Sequence, residues 1–240
     1  MFPLSDDNSD RRITPYANYL LIVLNVLVFV LLQQMGSNEH FDHAFSAVPK
    51  EILSGHDISG TVDLASRGAS FQLEHTPIPV YLTLITSMFM HGGFAHIGGN
   101  MLYLWIFGDN LENTMGHVKY FVFYLLCGIV AGLAHVFTTQ AIGANPYIPS
   151  LGASGAISGV MGGYILLYPT RRVTVIMLRQ VMHVPAYVAL GSWILFQLVD
   201  SMGFLGSESG GVAYAAHIGG FIAGLVLVGL FAPRNSQTSN

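Results

Sequence analysis

The chain has 240 residues, 52% of them hydrophobic and only 9% charged, with a formal net charge of −4. A soluble domain carries about 25% charged residues, so this chain cannot clothe a soluble surface, and it has no Lys/Arg cluster for nucleic acid. Its lone cysteine, Cys127, excludes an internal disulfide framework and a Cys-based zinc site; what remains is an all-α polytopic membrane protein.

A helix crossing about 30 Å of hydrocarbon needs about 20 mostly apolar residues. Residues 1–15 are short, polar and acidic, with Asp6, Asp7 and Asp10, and precede a first span over 16–35. Its apolar run is longer than a signal-peptide core, and no small-residue cleavage site follows it. Residues 36–80 form a long hydrophilic first loop, closed by Pro77 and Pro79. Residues 81–90 are apolar but too short to span, and they lead into a second span at 93–112. A third span covers 118–140. Asn145-Pro146 and Ile148-Pro149-Ser150 then break the longest uncharged stretch, because proline cannot continue a helix. Spans at 151–168, 184–203 and 212–231 follow, with a short polar tail at 232–240. The expectation is one membrane domain, 16–231, a bundle of six transmembrane helices.

Basic residues orient the bundle. With the N-terminus in the cytoplasm, Arg11, Arg12, Lys119, Arg171, Arg172, Arg179 and Arg234 lie inside, and only Lys50 and Arg67 lie outside. Spans two, four and six then enter from the outer face. Each carries polar residues a few positions past that point: His96 and Asn100, Ser154, and His217. At 1.5 Å per residue, all four lie on the order of 5–12 Å deep.

Polar groups at such depth are costly and mark function. A serine hydroxyl becomes a nucleophile when a histidine takes its proton. Asn100, His96 and the N–H groups opening the serine helix are donors for a developing oxyanion. No carboxylate shares this depth, which favours a Ser154–His217 dyad over a triad. Small residues let helix backbones approach. Gly152, Gly155 and Gly159 on the serine helix, and Gly220 and Gly224 on the histidine helix, are therefore assigned to helix packing near the site. Two other readings stay open from the residues alone. His91, His96 and His217 could ligate haem or a metal in a transporter, or the same pocket could bind membrane segments without cutting them.

The ordered motifs resemble the rhomboid family of intramembrane serine proteases. They are His91-x4-His96-x3-Asn100, Gly152-Ala153-Ser154-Gly155, and Ala216-His217-x2-Gly220-x3-Gly224, together with Phe107-Gly108-Asp109-Asn110-Leu111-Glu112. The resemblance covers roughly 81–231. It implies six helices and a cavity open to the outer face. Ser154 would be the nucleophile and His217 the general base, with Asn100, His96 and the Ser154 backbone N–H holding the oxyanion. It implies substrates that are single-pass transmembrane proteins met in the lipid bilayer. It implies no cofactor, no metal and no nucleic acid, and the setting is expected to be a bacterial inner membrane. Two departures stand out. Several relatives carry an aromatic residue four after the serine, stacked on the histidine, where this chain has Ser158. A Trp-Arg pair common in the first loop is replaced by Tyr81-Leu82-Thr83.

Overall fold

The computed structural model describes residues 2–64, 69–177, 179–201 and 211–232. Arg67, Arg234, nearly all of the 204–211 connection and the tail beyond Ala232 lie outside the described residues. The chain is mostly helical, and the helices run in the order α1 (Tyr16–Leu27), α2 (Glu39–Phe45), α3 (Pro49–Ser54), α4 (Thr83–Thr86), α5 (Phe94–Met115), α6 (His117–Ala141), α7 (Ser154–Leu167), α8 (Ala186–Ser201) and α9 (Gly211–Phe231).

The all-α expectation needs correcting. Strands β1 (Phe2–Asp6), β4 (Arg172–Met177) and β5 (Gln180–Pro185) form an antiparallel sheet in the order β1-β4-β5. Strands β2 (Gly60–Leu64) and β3 (Ala69–Leu73) pair separately within the 36–80 segment. The β4 run Arg-Val-Thr-Val-Ile-Met buries Val173 and Val175, the period-2 alternation of a one-sided strand. It was hidden by its position between two apolar spans. The span expected from 184 accordingly becomes helical only at Ala186.

Two helices among the described residues are long and apolar enough to cross a bilayer by themselves, His117–Ala141 and Tyr214–Phe231. The others fall short for identifiable reasons. α5 carries Asp109 and Glu112. The 14 residues of α7 rise only about 21 Å, and the run at 150–153 that precedes it is not helical.

α7 is the centre of the molecule. Every residue from Gly155 to Tyr164 is buried, as expected of a helix apolar on all sides. It packs chiefly against α9 and α6, and glycine makes the closest approach possible. A Cβ at Gly220 would fall on the Gly155 carbonyl oxygen, and one at Gly224 on the Gly159 carbonyl oxygen. At Gly155 and Gly159 the nearest obstacles are Ala131 and Cys127 of α6, so the two glycines form the face where three helices meet.

α1 and α5 are joined by a buried carboxylate. Glu112 is fully buried and accepts from the Ala17 N–H at 2.8 Å and the Asn18 N–H at 2.7 Å. Pro15 leaves the start of α1 without a side-chain cap, and a carboxylate at a helix N-terminus satisfies both orphan donors and the dipole.

Candidate active site

Ser154 opens α7 after a strained turn. Gly152 has φ +133, and its N–H donates to the Ser87 carbonyl at 2.8 Å. A Cβ at Gly152 would sit 2.9 Å from the His96 ring. Gly152 therefore works in the turn, packing loop against histidine, not in a helix–helix seam. The segment before it is clamped by the 36–80 region: Ala47 and Ser150 exchange both backbone hydrogen bonds, at 3.0 and 2.9 Å.

The structure brings the separate polar residues together. Ser154 Oγ lies 2.8 Å from His217 Nε2. The two side chains and His96 border two adjoining cavities, of about 180 and 280 Å³. The smaller reaches back to Ser87, Met88 and Leu151, while the larger is lined by Asn100, Tyr103, Trp193 and Gln197.

Two donor groups face this space. Asn100 is buried on α5, and its Nδ2 has no hydrogen-bond partner among the described residues. An unpaired buried donor costs about 1–3 kcal/mol. His96 Nδ1 accepts from the Gly92 N–H at 3.3 Å. In a neutral ring the other nitrogen, Nε2, then carries the proton, and it is among the ring atoms nearest Gly152. His91, fully buried, lies edge-on to His96 with ring centroids 5.1 Å apart. Its backbone is fixed by Gln33, which donates Nε2–H to the His91 carbonyl at 3.0 Å and accepts the His91 N–H at 2.8 Å.

Ser158 does not replace the missing aromatic residue by turning its hydroxyl to the histidine. Its Oγ donates to the Ser154 carbonyl at 2.6 Å, the back-bonding common for serine inside a helix. Sequence reasoning missed the residue that does meet His217. Gln197 of α8 places Oε1 2.8 Å from His217 Nδ1. A signal existed, since Gln197 is an amide within the apolar run Trp193–Val199 of α8.

Among the described residues no group of three or more His, Cys, Asp or Glu side chains is placed to hold an ion.

Comparison with known proteins agrees with the motifs. The Rhomboid domain profile matches residues 79–234, more than half of the chain. Rhomboid protein 1, mitochondrial, of Saccharomyces cerevisiae is 33% identical over 147 residues, covering 60% of this chain and 40% of the yeast protein. Rhomboid protease GluP of Bacillus subtilis is 29% identical over 213 residues, covering 88% of this chain and 34% of that protein. Rhomboid-like protein 11, chloroplastic, of Arabidopsis thaliana is 27% identical over 177 residues, covering 68% of this chain and 56% of the plant protein. The matched region thus spans a third to somewhat over half of these relatives' lengths.

Proposed function

Because the chain belongs to the rhomboid family of integral membrane proteins, we propose that it is an intramembrane serine endopeptidase working through a Ser154–His217 dyad. The observation that carries the reading is the 2.8 Å contact between Ser154 Oγ and His217 Nε2 beside an unpartnered Asn100 Nδ2. The membrane unit is read as six spans, with the N-terminus cytoplasmic and the cavity opening to the outer face of a bacterial plasma membrane. Substrates are single-pass transmembrane segments reached within the bilayer.

The chemistry follows from the donors and acceptors present. Ser154 Oγ bonds to the scissile carbonyl carbon as its proton passes to His217 Nε2, and the carbonyl π pair moves onto oxygen. Asn100 Nδ2, His96 Nε2–H and the Ser154 backbone N–H are the donors available to that oxyanion. Collapse re-forms the carbonyl and breaks the C–N bond, and the leaving amine takes the proton from His217. Water then attacks the acyl-enzyme by the same route. It releases the new carboxyl group and restores Ser154.

An active-site fluorophosphonate tests the reading. The wild-type protein in detergent is expected to be labelled and to cleave a fluorogenic transmembrane peptide. Ser154→Ala is expected to lose both activities, and His217→Ala to lose nearly as much. Cleavage that survives in Ser154→Ala would overturn the dyad. A wild-type protein that binds the peptide without cutting it would point to a binding protein instead.

A further inference from the structure

We infer that Gln197 is the positioning residue for His217, so that the site is a Ser154–His217–Gln197 relay whose third member comes from α8. The inference rests on the endopeptidase reading above and extends it. Gln197 Oε1 is 2.8 Å from His217 Nδ1, and the side chain is only 7% exposed. A carbonyl oxygen can only accept, so Nδ1–H must be the donor. A neutral imidazole protonated at Nδ1 has a bare Nε2. That is the nitrogen facing Ser154 Oγ at 2.8 Å. With Oε1 turned to the ring, as it is here, the amide favours the neutral tautomer that can take the serine proton and helps to hold the ring plane.

The rest of the surroundings agrees. Ser158, on the serine helix, gives its O–H to the Ser154 carbonyl and not to the ring. Trp193, one turn before Gln197 on α8, faces His217 with centroids 5.9 Å apart and planes at 43°. Residues four apart share a helix face, so α8 offers His217 an apolar ring and an acceptor side by side. Tyr214, on His217's own helix, approaches edge-on at 6.4 Å. The histidine is thus supported by α8, where an aromatic residue on α7 is missing. Any displacement of α8 from α9 would break the Gln197 bond and release the ring.

A neutral amide orients the ring but adds no negative charge against the imidazolium formed in the reaction. Its loss should cost less than the ~10⁴-fold seen when a triad carboxylate that fixes the tautomer is changed. Outer partners that orient metal-bound histidines are worth about 10–100-fold, and the same range is taken for this orienting contact.

The test compares wild type, Gln197→Met, Gln197→Glu and Ser154→Ala in liposomes with the fluorogenic peptide. Gln197→Met keeps the volume and removes the acceptor. It is expected to lower kcat about 10–100-fold with KM nearly unchanged, while Gln197→Glu, which keeps an acceptor oxygen, stays within about tenfold of wild type. A purely structural role for Gln197 would shift KM and thermal stability together and would show no rescue by Glu. Wild-type kcat in Gln197→Met, with Ser154→Ala dead, would overturn the positioning role and leave the dyad standing. Nitrogen-15 NMR of His217 in the wild-type protein gives a readout independent of turnover and of variant folding. A protonated Nδ1 and bare Nε2 are expected, and the opposite tautomer would sink the inference whether or not the protein cleaves.

Discussion

The two ends of α7 are built on opposite principles. Ser154 at its start borders a cavity lined also by Asn100, whose buried Nδ2 has no partner among the described residues. Tyr164, ten residues and about 15 Å further on, belongs to a network in which polar atoms meet. Its hydroxyl donates to Asp6 at 2.6 Å, Asn110 Nδ2 donates to the same carboxylate at 2.7 Å and to Asn8 at 2.8 Å, and Arg171 bridges Asn110 and Asp10. Arg11 pairs with Asp109 at 3.2 Å. Buried polar groups normally find partners. Where they do, as at the Tyr164 end, they stitch the N-terminal strand β1 onto α5 and α7. At the Ser154 end the Asn100 donor has no partner among the described residues, which suits the oxyanion role proposed for it.

The largest expected effect breaks the frame on which both ends hang. Gly224→Val would drive a branched side chain into the Gly159 carbonyl and push α9 from α7. A displacement of about 1 Å in a reacting pair costs on the order of 100-fold, so cleavage is expected to fall at least that far although Ser154 and His217 remain. Turnover at the wild-type level in detergent would mean that the pair does not depend on this seam.

A paired substitution sharpens the contrast itself. Asn100→Ala is expected to lower kcat by about 100–1000-fold and to leave the melting temperature unchanged or raised, because it deletes a buried donor that no described residue satisfies. Tyr164→Phe is expected to do the reverse, with activity kept and stability lowered by about 1 kcal/mol. Parallel melting curves and initial rates decide between them. If Asn100→Ala melts lower while cutting at the wild-type rate, Asn100 is structural glue.

The smallest effect concerns pH at the Tyr164 end. Burial, joined by the nearby Asp109 charge, pushes the Asp6 carboxyl up to about 7 from an ordinary 3.8, against the opposing hydrogen bonds from Tyr164 and Asn110 and the charge of Arg171. Between those values the carboxyl is protonated in the docked strand and ionised in the released one. Stability therefore falls as pH rises through that window and is fully present only below it. Hydrogen exchange of the β1 amides is expected to quicken from pH 4 to pH 7 beyond the intrinsic chemical rate, and Asp6→Asn to remove the excess. Protection that increases over the same interval would contradict the assignment.

Much of this arrangement was legible in the residues. The motifs were enough to put His96, Asn100, Ser154 and His217 near the starts of their helices, because position along a helix is a local quantity. The small faces of Gly155, Gly159, Gly220 and Gly224 could be read in the same way, since i and i+4 always share a face. What lies across a face is not local. Whether Gln197 points to His217 or to lipid depends on how α8 is rotated against α9, and no spacing within α8 contains that. The same holds for Ser158, whose hydroxyl had two acceptors in reach until packing closed one of them. It holds as well for β1, whose partner strand β4 lies some 170 residues away, and for Glu112, which caps a helix 94 residues earlier. The sequence by itself determined which polar groups and which glycines lie near the start of which helix. Only the tertiary structure decided which of them touch, because contact between helices depends on their relative rotation and on long-range pairing that local periodicity leaves free.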